Sequence, residues 1–550
     1  MSVLLLIAMP AAIFGKPHKL SPELRKGPKD KLLSVIVQYA AAPDESELNS
    51  VKPLGGGLKH KLKSINGAVF HLPPAALAAL SKNPRIRYIS PDREVSGKLD
   101  FATPATTAQI AHKYGWTGSG VGVAIIDSGI SAHADLKSRI VYSESFLPEK
   151  SGAGDSYGHG THVAGIVGGS GYSSEEGMGA LHTFRGIAPQ ANLINLRVLD
   201  GEGSGTESSV ISAIERAIEL KAKYNIRVIN LSVGRPIFEG YTLDPLCQAV
   251  EKAWEAGIVV VVAAGNNGRD NSFGTMGYGT ITSPANHPNV ITVGAMRGMG
   301  TVSRHDDQMA SFSSKGPAVL DHVVKPDLVA PGNGIVSTIN GNSTLATRYS
   351  GSLVRYRDYT PNPAPDAGRY MRLSGTSMAT PMVAGAAALL IQKDPGLTPD
   401  TVKARLMKTA TKSFPSTSLV TDPRTGVTHT IYHDLFTVGA GYLDIWAALN
   451  NNEVVASDQS ARSPAVTVDS STGAVTLVNG TSVVWGTSVL WGTSVVWGTN
   501  VVLNGNSVVW GTSVLWGTSN TTGFSVLWGT SVLWGTSNPF TESLSIQGEP

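Results

Sequence analysis

The chain has 550 residues, 41% hydrophobic and 15% charged, with a formal net charge of +3. That length allows roughly two to four domains with a large buried core. The charge is partitioned: residues 1–97 carry 14 Lys and Arg against 7 Asp and Glu, residues 98–450 carry 29 of each, and residues 451–550 carry 1 against 5. No basic face with interleaved aromatics occurs, which argues against a nucleic-acid partner. A single cysteine, Cys247, excludes an intrachain disulfide, and its helix-like surroundings mark it as a small core residue.

Val3–Phe14 is an apolar run of signal-peptide length, too short to span a bilayer. Residues 1–15 are read as a signal peptide, and a start codon further upstream would supply the missing basic residues before it. Export to the outside or to the cell surface is the expected localisation. No other run is apolar enough to be transmembrane.

Residues 30–97 have a pattern of their own. Lys31–Tyr39 and Ala68–Leu72 are strand-like, with a basic, Gly-rich connection between them. Pro73–Leu80 starts on proline and carries a Leu/Ala face, so it is expected to be a helix, closed by Asn83-Pro84. Arg87–Ser90 reads as a third strand.

From about residue 100, apolar strands alternate with helical stretches, which predicts an α/β fold: a parallel sheet with helices on both faces. Val121–Ile130 is a buried strand ending in Asp127. Further strands are expected at Leu193–Leu199, Val228–Val233, Ile258–Ala264 and Val290–Ala295, with helices at Ser209–Tyr224, Leu246–Ala256 and Pro399–Thr409. Gly158-His159-Gly160-Thr161-His162 opens a small-residue helix. Leu373-Ser374-Gly375-Thr376-Ser377 leads into Met378–Ile391, apolar on nearly every face and therefore a buried helix. Ser377 falls in its first turn, beside unsatisfied N–H groups and the positive end of the dipole. Taken singly, Ser377 could be an N-cap serine and Asp127 a turn residue.

Together, Asp127, His159 and Ser377 stand in the chain order of the subtilisin arrangement. On these three motifs the chain resembles the subtilases, the subtilisin-family serine endopeptidases. The resemblance implies an Asp127/His159/Ser377 triad acting on protein and peptide substrates. It also implies an oxyanion donor from the side-chain amide of Asn266, preferred over Asn267 on the family match alone. Ser232, Val233 and Gly234 resemble the segment that pairs with an extended substrate, and Ala264 and Gly265 would wall the main specificity pocket beside it. Residues 16–97, ending in Ile89–Val95, resemble an inhibitor-type propeptide, an intramolecular inhibitor whose end lies in the cleft. Self-cleavage is then expected between about Val95 and Pro104. The catalytic domain is expected to span residues 98–450, closing near Val438–Ile445.

No cofactor is required by this chemistry. Calcium is common in the family as a structural ion, but Gly169–Arg185 departs from the familiar calcium loop; Glu175 and Glu176 are the acidic residues there. His159 and His162 are three apart, yet no third zinc ligand is placed near them, and His162 reads as a structural histidine. Residues 333–372, with Arg348, Arg355, Arg357, Arg369 and Arg372, are expected to be a surface insertion near the cleft.

After residue 450 the composition changes. Ser470–Thr541 contains no charged residue, and a hexad Ser-Val-Val/Leu-Trp-Gly-Thr recurs with tryptophans at 485, 491, 497, 510, 516, 528 and 534. The even period suits short β strands broken at each Trp-Gly; a sticky low-complexity segment that binds a surface or self-associates is the alternative. Every element of the expected active site precedes residue 450, so a chain ended at Asn450 is expected to keep peptidase activity. The rival function is a catalytically inactive surface or binding protein acting through this tail.

Overall fold

The computed structural model describes residues 19–20, 24, 32–62, 66–91, 99–147, 152–175, 182–272, 274–359, 369–415, 417–422, 425–468, 475–478, 541–542 and 549. The Trp-Gly-Thr hexads and the signal-like run lie outside them. The chain divides into two compact units, 1–95 and 96–550.

In the first unit an antiparallel sheet runs in the order Gly57–Leu62, Gly67–Leu72, Leu33–Tyr39, Ile86–Pro91. Alternation decides which face is buried: Val35, Val37 and Tyr39 point inward with Phe70, Leu72, Ile86 and Ile89. The expected helix forms as Ala76–Lys82 and buries Leu77 and Leu80. The basic, Gly-rich connection contains a further strand, Gly57–Leu62. Its charges belong to a sheet edge, where lysines are common.

The second unit is built on a sheet that, among the described residues, has eight strands: β1 (Gly122–Asp127), β2 (Ile140–Ser145), β3 (Asn192–Arg197), β4 (Ile226–Leu231), β5 (Val259–Ala263), β6 (Ile291–Arg297), β7 (Gln308–Met309) and β8 (Leu328–Pro331). Their order is β7-β6-β5-β4-β1-β3-β2, with β8 also pairing β6. All pairs are parallel except β6 with β7. Every residue of β1 and β5 is buried, as in a parallel sheet covered on both faces. Covering helices include α1 (His159–Gly168), α2 (Glu207–Glu219), α3 (Pro245–Glu255) and α4 (Thr376–Lys393); α2 packs with α3, and α1 with α4. Cys247, near the start of α3, is fully buried, with its Sγ 3.3 Å from Asn286 Oδ1. No described helix is long and apolar enough to cross a membrane.

Two further stretches are tied into this unit. In the segment 333–372, Arg348, Arg355, Arg369 and Arg372 are exposed, and its strands pack inward. Its strands Ile335–Thr338, Leu353–Val354 and Tyr370–Leu373 form an antiparallel sheet. That sheet grips α1: Ser337 Oγ donates to the His162 carbonyl and Thr338 Oγ1 to that of Thr161, each at 2.8 Å. Tyr370, Tyr359 and Phe184 stack edge to face beneath it. The packed unit also runs past Asn450. Ser463 is buried and accepts from Lys403 Nζ at 2.9 Å, and Lys403 and Lys325 both pair with Asp327, at 3.1 and 2.7 Å, all three fully buried. The Val324 N–H donates to the Pro464 carbonyl, and the Val466 N–H to that of His322.

Candidate active site

Ligand-binding crevices of parallel sheets lie beyond the carboxyl ends of the strands, and three neighbouring strands end here on the expected site residues. Asp127 is the last residue of β1. Ser232, Val233 and Gly234 follow β4, and Ala264, Gly265 and Asn266 follow β5. Ile126 is in register with Leu231, and Leu231 with Val262, so the three strand ends stand side by side.

His159 is the first residue of α1. Its Nδ1–H donates to Asp127 Oδ1 at 2.7 Å, both side chains being fully buried, and the Ser128 N–H donates to the same oxygen. A carboxylate acceptor fixes the tautomer with the proton on Nδ1 and presents Nε2 as a base. The close approach depends on Gly160: a Cβ there would lie 2.2 Å from the Gly129 carbonyl and 3.1 Å from Asp127 Cβ. Helix α1 has a glycine, Gly158, at its N-cap, with no side chain to satisfy its free N–H groups. Asp155, which sequence reasoning missed, does this instead. It accepts from the N–H groups of Gly158 and Thr161, from Thr161 Oγ1 and from Ser128 Oγ, at 2.6–2.9 Å. Burial pushes its carboxyl above the usual range. An aspartate three residues before the glycine that opens a histidine helix was the available signal.

Ser377 is the second residue of α4. Its Oγ donates to the Ser232 carbonyl at 3.1 Å, and Ser232 Oγ donates to the Ser377 carbonyl at 3.0 Å. That carbonyl is open to Ser232 because residue 381 is proline: the helical N–H that would reach it is missing. One reciprocal pair therefore ties the nucleophile candidate to the strand beside Asp127.

The two asparagines are told apart by Thr376. Its N–H and Oγ1 donate to Asn266 Oδ1 at 2.9 and 3.1 Å, so the amide is turned with Nδ2 away from them. Nδ2 is buried with no hydrogen-bond partner among the described residues. Asn267 is exposed. Gly265, at φ 108°, donates its N–H to Thr376 Oγ1 at 3.2 Å. A Cβ at Gly265 would meet Ser314 Oγ at 2.8 Å. Val233, Gly234 and Ala264 are buried, and no carboxylate stands among these wall residues.

His162 points away from this cluster. Its Nε2–H donates to the Met371 carbonyl at 3.0 Å, and burial holds its imidazole down at about 3. A neutral ring bonded to backbone is a structural histidine. Glu175 faces Arg185 at 3.8 Å, and Glu176 lies outside the described residues. Among the described residues no three His, Cys, Asp or Glu side chains converge as a cation site. The chemistry that fits is acyl transfer: a hydroxyl at a helix N-terminus, a carboxylate-oriented imidazole and a buried amide donor.

The subtilase family profile matches residues 118–441, which contain all of these elements. The chain belongs to the subtilase family. This subtilase is 39% identical to serine protease AprX of Bacillus subtilis (strain 168) over 401 residues, covering 70% of this chain and 84% of the relative. It is 38% identical to subtilisin E of the same strain over 362 residues, covering 65% and 78%. It is also 34% identical to M-protease of Shouchella clausii (strain KSM-K16) over 379 residues, covering 68% and 82%. Family and relatives make the subtilase a serine endopeptidase acting on protein substrates.

Proposed function

We propose that this subtilase is an exported, propeptide-regulated endopeptidase in which Asp127, His159 and Ser377 form the catalytic triad. The observation that carries the reading is the pairing of a buried His159–Asp127 bond with a buried Asn266 amide whose N–H₂ has no described partner. His159 Nε2 takes the Ser377 proton as Oγ attacks the substrate carbonyl, and returns it to the leaving amine. Asp127 holds the tautomer and stabilises the imidazolium. Asn266 Nδ2 and the Ser377 N–H, at the positive end of α4, receive the oxyanion. Ser232, Val233 and Gly234 pair with the substrate backbone, and Ala264 and Gly265 form a small-residue wall for a broad apolar side chain. The reaction needs no cofactor. Calcium would be structural only, and among the described residues no three His, Cys, Asp or Glu side chains converge to hold it.

Residues 16–97 act as the inhibitory propeptide, preceded by a signal peptide, with self-cleavage between Val95 and Pro104. Supplied separately, residues 16–97 should inhibit the mature enzyme, whose amino terminus sequencing should place in that interval. The central test is Ser377→Ala. A folded variant should lose peptide hydrolysis by several orders of magnitude, as expected for a triad that acts as a unit. The wild type should label with a fluorophosphonate and the variant should not. A wild-type protein that folds but neither labels nor hydrolyses peptides would favour an inactive binding protein instead.

A further inference from the structure

The end of the chain returns to the catalytic unit. Glu549, next to last of 550 residues, is 4% exposed. Its Oε1 accepts from Arg269 Nη2 at 2.8 Å, from the Ser311 N–H at 2.9 Å and from Ser311 Oγ. Its backbone is held by one side chain: Asn333 Nδ2 donates to the Glu549 carbonyl at 3.0 Å, and the Glu549 N–H donates to Asn333 Oδ1 at 2.7 Å. Ser311 and Asn333 are themselves buried. Arg269 is set in place by two further bonds, to Asp422 Oδ2 at 2.9 Å and to Ser311 Oγ at 2.7 Å. A paired amide for the backbone and a fixed guanidinium for the side chain make a seat that reads one acidic residue. Glu542 and Glu549 are the only acidic residues after Asp469.

This seat adjoins the active site on two sides. Arg269 lies three residues after Asn266, on the same loop. Asn333 follows Gly332, whose carbonyl accepts from the Gly375 N–H at 2.8 Å, two residues before Ser377. A second contact comes from the same stretch of tail. Thr541–Glu542 forms an antiparallel pair with Val233–Gly234, Thr541 opposite Gly234 and Glu542 opposite Val233.

We propose that the acidic carboxyl-terminal segment is an intramolecular ligand of this subtilase: Arg269, Ser311 and Asn333 seat Glu549, and the seated segment lays Thr541–Glu542 along Val233–Gly234 in the place of a substrate strand. The competitive half of this proposal rests on the reading of Ser232–Gly234 as the substrate-pairing segment. Tethering raises the effective concentration of the tail to about the millimolar range, so even a two-residue strand addition is populated. Substrates must displace that strand. Short ones that stop at the scissile residue need not.

The experiment compares mature full-length enzyme with Glu549→Lys and Glu549→Gln, on an extended peptide and on a single-residue ester. Both substitutions should lower KM for the extended peptide and leave the ester kinetics unchanged, Glu549→Lys more strongly because it faces Arg269. A synthetic peptide of residues 541–550 should bind the Glu549→Lys enzyme in fluorescence anisotropy and inhibit extended-peptide hydrolysis competitively. The same peptide with lysine at 549 should bind about tenfold more weakly or worse, the scale of a lost charge-assisted hydrogen bond. Absence of binding, or binding indifferent to residue 549, overturns the seat. Residue-549-dependent binding without competition overturns the strand exchange. If kcat/KM of the Glu549→Lys enzyme does not grow from ester to extended peptide, the substrate-segment reading is what fails, and peptide binding alone then decides the seat.

Discussion

Asn266 and Asn267 are chemically identical neighbours, and only their surroundings separate them. Thr376 holds the Asn266 carboxamide by its oxygen and leaves Nδ2 free to donate, whereas Asn267 faces solvent. Asn266→Leu should therefore lower kcat by about 10²–10³ with little change in KM, the scale of losing one oxyanion-hole donor. Asn267→Ser should leave both constants near the wild-type values. Equal effects of the two changes would reject the assignment. Nothing in the chain order of two adjacent asparagines could have made this choice without the family resemblance, because the deciding bond comes from a residue 110 positions away. The histidine and aspartate were easier to read, each standing at the end of an element with an unmistakable apolar pattern. Asp155 escaped notice for a local reason: its bonds cap a helix whose formal N-cap is a glycine, so it does not sit where a capping residue is looked for.

At the scale of elements, long parallel strands were the most legible features. Gly122–Asp127, Asn192–Arg197, Ile226–Leu231, Val259–Ala263 and Ile291–Arg297 all lie within or overlap their expected spans, since strands buried on both faces read as continuous apolar runs. Ile140–Ser145 was missed because its residues are only partly covered and carry polar side chains. In 333–372 the arginines Arg348, Arg355, Arg369 and Arg372 are exposed, which is what the sequence makes visible, while Tyr370, Met371 and Leu373 are buried. The tail boundary follows the same logic. Residues 451–466 look polar, yet Ser463 and the backbone of Pro464 and Val466 complete the unit around a buried Lys–Asp–Lys cluster. In a Ser377→Ala background that prevents self-digestion, a chain ended at Asn450 should be destabilised by on the order of 3 kcal/mol, because Lys403 loses a buried acceptor. A chain ended at Val478 keeps Ser463 and should unfold at a higher temperature than the one ended at Asn450. Identical melting of the two truncated chains would support a boundary at 450.

For the whole molecule, the buried titratable groups set a stability profile displaced toward alkaline pH. Burial holds His162 and His287 at about 3 and His433 at about 4, below the ordinary 6.5. Between those limits the unfolded chain binds protons that the folded one refuses, so stability is full above 6.5 and is lost as pH falls below it. Asp434, raised by burial to about 6, and Asp155, raised likewise, act in the opposite sense and blunt that acid limb. Lys315, lowered by burial to about 8, adds stability as pH rises from 8 towards its ordinary 10.5. Tyr278, Tyr370 and Tyr442 are buried against aspartates and raised above 10, so the stability they contribute is present below pH 10 and is lost as pH rises beyond it. Thermal unfolding of Ser377→Ala should thus give a melting temperature that climbs from pH 5 to a maximum between pH 8 and 10, then falls. A maximum at or below pH 6 would contradict this account.

The contact between α1 and β1 has a consequence for how the enzyme tolerates change. The spacing of the His159–Asp127 pair is set by an atom that is not there, the Cβ that any other residue would add at Gly160. A comprehensive substitution map should therefore show position 160 as intolerant as His159 itself, although Gly160 touches no substrate and moves no proton. The distance from imidazole to carboxylate has no adjustable part. In such a map, geometry held by absence and chemistry held by presence would be indistinguishable.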